Sequence, residues 1–568
     1  MGLKKEYVID FFKLRKETRK ANDYEIYLKE AIANFLKDEN KETAFDVYVT
    51  FFDSYKILLQ GKKNFIDLLD VLKSYEENAA TLIDKQRDHY VHSVNVFVLG
   101  LAIYAQNKNL RTIIEEDHEK NSKSREKYES SRKEFLFKWG IASLCHDVGY
   151  PVEITNNQIK KFIKLVSDVD GENKSADPYL AFKDFEVLNR VPTISIDDNS
   201  IADLNHIDPN KALDLLSYNI QSRLGTDLET TKKYLSDFLS NMQKFGFVDH
   251  GFYSSIILLK WYGHMLQMSG ISSDVLYNEI VDAAGAILLH NYYKNVLMKE
   301  PFSLGALTPE KHPYAYLLIL CDELQEWNRE AYGIEDKKRV LADGSRLNMT
   351  ETQMAITYLA PKGAMERGFA EKKEALFNSV IDIKALFKDG IKVECLAGSD
   401  LYIETIQEQD VKIAPRPLLI NIEKIAKSIH ADYNKNQIER NPDIELKHPT
   451  WESLPEDLKY SNIRQARTIT DKLRYLGYSA SEENEGGTEI KELEPSQIEY
   501  LSKIEHDSWV DERSKNGWTY GEAKDIDNKI SPHLIPYEEL TEDVKELDRD
   551  TVRNIISLLN TIGLKVYK

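Results

Sequence analysis

The feature that most constrains this chain is the spacing of its apolar residues over the first 335 positions. In "FLKDENKETAFDVYVTFFDSYKILL" and "VNVFVLGLAIYA" they recur at intervals of three and four, with few strand-like alternations. That spacing lays an apolar stripe along a helix, and where the run is continuous it marks a helix buried on all sides. The predicted fold class is therefore mainly α, beginning with an all-helical part. A chain of 568 residues exceeds what one hydrophobic core supports, so several domains are expected.

The pattern divides into an N-terminal helical region over 1–85, which packs on a helical domain over 86–335. Clusters of Asp, Asn, Gly and Pro in "DVDGENKSADP" and "ISIDDNSIADLNHIDPNKA" mark an insertion at about 155–245. Beyond 335 the period changes. "IKVECLAG" and "DLYIETIQ" read as strands and "LLINIEKIAKSIHADYNKNQ" as a helix, giving a small α/β appendage over 336–430. A polar stretch with three prolines at 434–458 places the last boundary, leaving a small, mainly helical domain over 431–568.

Charge and cysteine usage narrow the function classes. With a net charge of -19, the overall field repels extended nucleic acid, whose binding depends on Lys and Arg clusters that release counterions. A small phosphorylated ligand remains compatible if cations supply local positive charge. Three cysteines form no paired framework, so a reducing cytoplasm is the expected compartment. No apolar run approaches the 18 residues of a bilayer span, and the opening segment reads as an amphipathic helix, so no membrane association is expected.

Six residues with metal-ligand chemistry stand at the ends of apolar helical segments: His92, the pair His146–Asp147, His250, His290 and Asp322. Helices that deliver imidazoles and carboxylates to one end of a bundle can assemble a metal site in its core. Neutral imidazoles hold divalent Mn, Fe, Ni, Co or Zn, carboxylates also accept Mg, and a carboxylate can bridge two ions. Two such ions clamp the attacking and leaving oxygens at phosphorus, which is hydrolysis of a phosphate ester or anhydride. The competing readings are a capped helix end for His146–Asp147 and satisfied core histidines for the others. Asp322 is costly to bury unpaired, so a metal or an arginine partner is expected.

Around these residues, His89 lies three positions before His92 and would share its helical face, as a substrate contact or a general acid. Arg87 and Lys294 flank the proposed ligands and are candidate phosphate contacts, with ordinary surface charge as the alternative. A second His–Asp pair, His506–Asp507, has no comparable helices around it. It sits instead in "IEHDSWVDERSKNGWTYG", where Trp509, Arg513 and Trp518 could stack a base and pair a phosphate, or simply pack a small core.

The ordered set, with "HSVNV", "HDVGYP" and "CDELQEW", resembles the HD superfamily of metal-dependent phosphohydrolases over about 86–335. The resemblance implies that His92, His146, Asp147 and Asp322 hold one metal, that His250 and His290 complete a binuclear site, and that Asp147 and His89 serve catalysis. The segments "LPEDLKYSNIRQARTITDKLRYLGY", "EHDSWVDERSKNGWTYG" and "LIPYEELTEDVKELDRD" resemble the RyR domain over about 452–568. That resemblance implies a nucleotide pocket at Asn462, Glu505, His506, Trp509, Arg513, Trp518, Tyr537 and Lys545. Together they imply a homo-oligomeric, regulated (deoxy)nucleoside triphosphate triphosphohydrolase, whose architecture would suit antiviral defence by nucleotide depletion. The alternatives are a phosphodiesterase for cyclic or oligomeric nucleotides and a non-catalytic nucleotide sensor.

Overall fold

The computed structural model describes residues 3, 5–14, 24–55, 71, 86–87, 89–121, 130–167, 184–192, 207–269, 277–326, 331–332, 344–360, 369–397, 416–482, 487–515, 517–523, 525 and 528–568. They form a mainly α protein with a few small sheets, as the apolar spacing predicts. The chain divides into two compact units, Met1–Arg15 with Tyr27–Gln409, and Lys16–Ile26 with Asp410–Lys568. No described helix is long and apolar enough to cross a membrane.

The first unit is a helical bundle. Its helices are α1 (Lys5–Lys13), most of α2 (Tyr24–Phe35), α3 (Lys41–Ser54), α4 (Tyr90–Gln106), α5 (Lys108–Asn121), α6 (Ser131–Cys145) and α7 (Tyr150–Ser167). They continue with α8 (Phe185–Asn189), α9 (Ala212–Leu224), α10 (Leu228–Phe245), α11 (His250–Ser269), α12 (Tyr277–Tyr292) and α13 (Pro313–Leu324). The start of α3 shows the local logic: Asn40 Oδ1 accepts from the backbone N–H groups of Glu42 and Thr43, each at 2.9 Å. The Thr43 hydroxyl oxygen accepts from the Asn40 N–H in return, closing a reciprocal cap.

Helix α4 is apolar on every side and buried from Tyr90 to Ala105, which makes it the axis of the bundle. Trp139 of α6 fixes its neighbour by donating its ring N–H to the Phe97 carbonyl at 2.8 Å. A buried ionic network sets the register of four helices. Arg223 on α9 bridges Asp117 on α5 and Asp282 on α12, and Lys138 on α6 pairs with Asp282 at 3.2 Å and Glu134 at 2.8 Å. The cost of desolvating these charges offsets much of their attraction, so the network adds little net stability, although removing one partner would leave a buried charge uncompensated.

The described part of the 155–245 segment is mostly helical, in α7 to α10, with a β-bridge between Arg190 and Lys211, whereas its "DVDGENKSADP" stretch lies outside the described residues. Strand β1 (Gln86–Arg87) pairs antiparallel with β2 (Ala331–Tyr332), joining the two ends of the 86–335 segment. The appendage is a sheet ordered β3 (Gly344–Met349), β4 (Met354–Ala360), β5 (Ile391–Ala397). The first pair is antiparallel and the second parallel, with α14 (Phe369–Val380) and the short α15 (Ile383–Leu386) between β4 and β5. "IKVECLA" of the first expected strand is β5, and Gly398 and "DLYIETIQ" lie outside the described residues.

The second unit takes α16 (Arg416–Arg440), α17 (Glu456–Arg467), α18 (Ile469–Tyr475), α19 (Pro495–Lys515), α20 (Glu542–Arg553) and α21 (Ile555–Asn560). The boundary expected at 430/431 falls inside α16. The final strand, β10 (Lys565–Tyr567), lies between β6 (Ser479–Ser481) and β7 (Glu489–Ile490), and β8 (Thr519–Tyr520) pairs with β9 (Ile530–Ser531).

Candidate metal centre

All six candidate ligands stand at helix ends. His92 is in the first turn of α4 and His250 opens α11. His146 caps the C-terminus of α6 with Asp147 next to it, while His290 and Asp322 lie in the last turns of α12 and α13. Starts of two helices and ends of three meet only where neighbours run antiparallel, so the bundle brings the six to one end.

Their geometry forms two groups sharing one carboxylate. His92, His146 and Asp147 offer ligand atoms within 4.8 Å of one another, and so do Asp147, His250 and His290. Asp322 joins the first group, with Oδ1 2.8 Å from His92 Nε2 and 3.9 Å from His146 Nε2. Asp147 divides its oxygens, placing Oδ2 3.4 Å from His146 Nε2 and Oδ1 3.5 Å from His250 Nε2. His146 and Asp147 are buried, whereas the side chain of Asp322 is 30% exposed, so the centre opens to solvent on that side.

The outer nitrogens decide what the centre can hold. His146 Nδ1 faces the Ser143 carbonyl at 2.7 Å, and His290 Nδ1 faces the Ile287 carbonyl. His250 Nδ1 faces Glu153 Oε2 at 2.8 Å, and His92 Nδ1 faces Gln325 Oε1. Carbonyl and carboxylate oxygens only accept, so each Nδ1 carries the hydrogen, and each ring in its neutral form turns an Nε2 lone pair inward. His146 Nε2 is buried with no hydrogen-bond partner among the described residues. His250 Nε2 and His290 Nε2 lie 3.2 Å apart, and two lone pairs at that separation repel unless a proton or a cation lies between them.

Titration follows the same geometry. Burial works against a charged His250, yet the Glu153 hydrogen bond and the nearby Asp147 carboxylate push its pKa up to about 10. Burial and the adjacent His250 push His290 down to about 4. Burial opposes ionisation of Asp147 and Asp322, but the surrounding imidazoles hold both well below the usual carboxylate range. Among the described residues neither carboxylate pairs with lysine or arginine. Once His250 gives up its Nε2 proton, four lone pairs and two carboxylates make a donor set suited to divalent metal ions.

The ring of His89 lies 6.2 Å from that of His92, on the same side of the helix start. His89 occupies the N-cap position, buried, with its ring centroid 3.6 Å from that of Tyr150 and Nδ1 donating to Asp147 Oδ2 at 2.7 Å. In this arrangement it orients Asp147. Lys294 is exposed on a π-helical turn four residues beyond His290. Only the backbone of Arg87, in β1, falls among the described residues.

Sequence reasoning missed the residues that hold the ligands: Gln325, Glu153 and two glycines. A Cβ at Gly251 would lie 2.5 Å from His290 Cε1, and one at Gly149 would lie 2.5 Å from the Ser254 backbone nitrogen. Gly149 also donates its N–H to the Ser254 hydroxyl at 2.8 Å, bringing the turn after Asp147 onto α11. Gln325 stands three residues after Asp322, and that spacing within "CDELQEW" was the available signal.

In the second unit most of the proposed pocket residues gather around α19. Arg513 lies over both Trp518, at 4.6 Å, and Trp509, at 5.7 Å, and Lys545 lies 5.6 Å over Tyr537. Glu505 is buried in an ion triad with Arg464 and Lys472, which outweigh its burial and bring its pKa down to about 2. His506 spends both nitrogens on protein partners, Asp548 Oδ2 at 3.3 Å and the Ile535 carbonyl at 2.8 Å. Asn462 is elsewhere, in a cleft with Asn436 of α16 and Asp550 and Asn554 of the α20 end. Residues 488–568 match the family model of the RyR domain, so Asn462 and the "LPEDLKYSNIRQ" segment lie outside the match.

Proposed function

We propose that the first unit is a binuclear metal-dependent phosphohydrolase of the HD type, acting on nucleoside triphosphates, and that the RyR domain binds a regulatory nucleotide. The observation that carries this reading is the inward orientation of four Nε2 atoms around Asp147 and Asp322, each ring held from behind by a protein acceptor. His92, His146, Asp147 and Asp322 would hold one ion, and Asp147, His250 and His290 the other. When bound, such ions supply Lewis acidity toward phosphoryl oxygens and activation of water near neutral pH.

The chain's own residues do the rest. His89 fixes Asp147 Oδ2, so that Oδ1 is turned toward His250 and the carboxylate reaches both groups. Glu153 and Ile287 aim His250 and His290. The open side at Asp322 admits a small anionic substrate, whose phosphate charge the bound ions would offset. Cytoplasmic location, homo-oligomeric assembly and a role in antiviral nucleotide depletion belong to the same proposal.

The test is purified protein with Mn and a panel of dNTPs, NTPs and cyclic dinucleotides. Release of tripolyphosphate, lost together with bound metal in Asp147→Ala, is the expected result. Linear dinucleotides from cyclic ones would instead make it a phosphodiesterase, and metal content unchanged by Asp147→Ala would leave the sensor reading standing. For the RyR domain, Trp518→Ala and Arg513→Ala should weaken nucleotide binding and the response of the rate to added nucleotide.

A further inference from the structure

We infer that the α/β appendage fixes the metal centre, with Tyr358 and Lys373 acting as positioning residues for Asp322 and Gln325. The inference rests on the metal-binding reading above. At the end of α13, Asp322 lies in the last turn and Gln325 follows as C-cap. The last carbonyls of a helix have no partner within it, and a last turn without caps frays. A frayed turn here would release one ligand and, through Gln325, the ring of His92.

The appendage supplies the caps. Tyr358 of β4, fully buried, donates its hydroxyl to the Leu324 carbonyl at 2.7 Å. Lys373 of α14, 7% exposed, donates to the Glu323 carbonyl at 2.8 Å and to Glu326 Oε1 at 2.8 Å, and reaches the Glu323 carboxylate as well. Two consecutive carbonyls of the terminal turn are thus held by side chains from outside the bundle. Lys373 also offsets two carboxylates that flank Asp322 and Gln325, which would otherwise crowd negative charge around the liganding segment.

The holders are themselves braced. Phe369 sets its ring edge-on to Tyr358 at 5.3 Å, and the Glu374 carboxylate accepts from the Val393 N–H at 2.8 Å, tying α14 to β5. A second attachment lies away from the liganding turn: the Tyr316 hydroxyl, from the first turn of α13, donates to the Asp382 carbonyl at 3.0 Å. That bond docks the appendage without touching residues 322–326, so it provides an internal control.

The experiment uses the full-length chain and Mn alone as probe. Bound Mn and its dissociation constants are measured by competition titration for the unaltered protein, Tyr358→Phe, Lys373→Met, Lys373→Arg and Tyr316→Phe, with thermal unfolding of each metal-depleted protein alongside. Loss of a ligand-orienting contact typically costs 10–100-fold in metal affinity. Tyr358→Phe and Lys373→Met are expected to weaken one of two Mn ions by roughly tenfold, Lys373→Arg to recover most of it, and Tyr316→Phe to bind as the unaltered chain does. The unaltered chain binding Mn while Tyr358→Phe and Lys373→Met bind it equally well would overturn the inference alone. An equal loss in Tyr316→Phe would also overturn it, since any weakening of the docking would then suffice. No Mn bound by the unaltered chain would remove the metal-binding reading and the inference with it.

Discussion

Replacing Gln325 by Leu tests the metal centre at the point where its chemistry is most exposed to a single atom. Gln325 Oε1 is the acceptor that keeps the hydrogen of His92 on Nδ1, and the His92 side chain is fully buried. Removing that acceptor leaves a buried donor unsatisfied, at a cost of about 1–3 kcal/mol. His92 has an escape: the hydrogen can move to Nε2, where Asp322 Oδ1 accepts at 2.8 Å. The metal-depleted protein then loses little stability, because a hydrogen bond replaces the one removed. An incoming ion, however, must return the hydrogen to Nδ1, so the whole cost falls on metal binding. At 1.4 kcal/mol per tenfold, that corresponds to roughly 5–150-fold weaker binding, in line with other outer contacts of metal-bound histidines.

The assay is a competition titration with Mn on the full-length chain, paired with thermal unfolding of the metal-depleted protein. Gln325→Glu keeps an acceptor in place and should retain tight binding. If Gln325→Leu binds Mn within a factor of about two of the original protein, against the expected range, the inward orientation of His92 is not what makes the site. If the metal-depleted variant loses as much stability as the metal affinity it loses, Gln325 is a packing residue and the tautomer argument fails.

Gly251→Ala places a Cβ 2.5 Å from His290 Cε1; elemental analysis should find bound metal falling from two ions to one, and two ions retained would show that His290 is not needed. In the second unit, burial disfavours a charged His506, but its bonds to Asp548 and the Ile535 carbonyl raise its pKa above the ordinary 6.5. That stabilisation is complete below about pH 6.5 and is lost as pH rises through the raised value. Unfolding temperatures of the full-length protein and His506→Gln should therefore differ most near pH 6 and converge toward alkaline pH, and a constant difference would refute the assignment.

What the sequence made legible follows from how each signal is encoded. The helices of the bundle were readable because burial writes itself as continuous apolar runs, as in α4 and α13. The candidate ligands stood out because imidazoles and carboxylates at the ends of such runs are chemically unexpected. Gly149 and Gly251 were not, since the reason for each is a distant segment, α11 and His290 respectively, that no local pattern announces. Tyr358 and Lys373 were hidden for the same reason: they lie 34 and 50 positions from the carbonyls they hold. Their own strand and helix look ordinary. In the last domain the aromatic and basic residues were visible, but Glu505 and His506 proved to be committed to protein partners.

The two His–Asp pairs show what separates a site from a coincidence. His506 and Asp507 lie in the middle of α19, where consecutive side chains diverge by about 100° around the axis. His506 is therefore buried and Asp507 exposed, and they cannot face one target. His146 and Asp147 stand where α6 ends, and the turn bonds from Val148 to the Cys145 carbonyl and from Tyr150 to the Asp147 carbonyl bend the chain there. Both side chains stay buried, within 3.4 Å of each other at Nε2 and Oδ2. Gly149 then lets α11 approach closely enough to bring His250 to the same carboxylate. The dipeptide joins a candidate metal centre because a helix stops at it and a glycine follows two residues later. Gly149→Ala should consequently damage the centre even though it touches no ligand side chain.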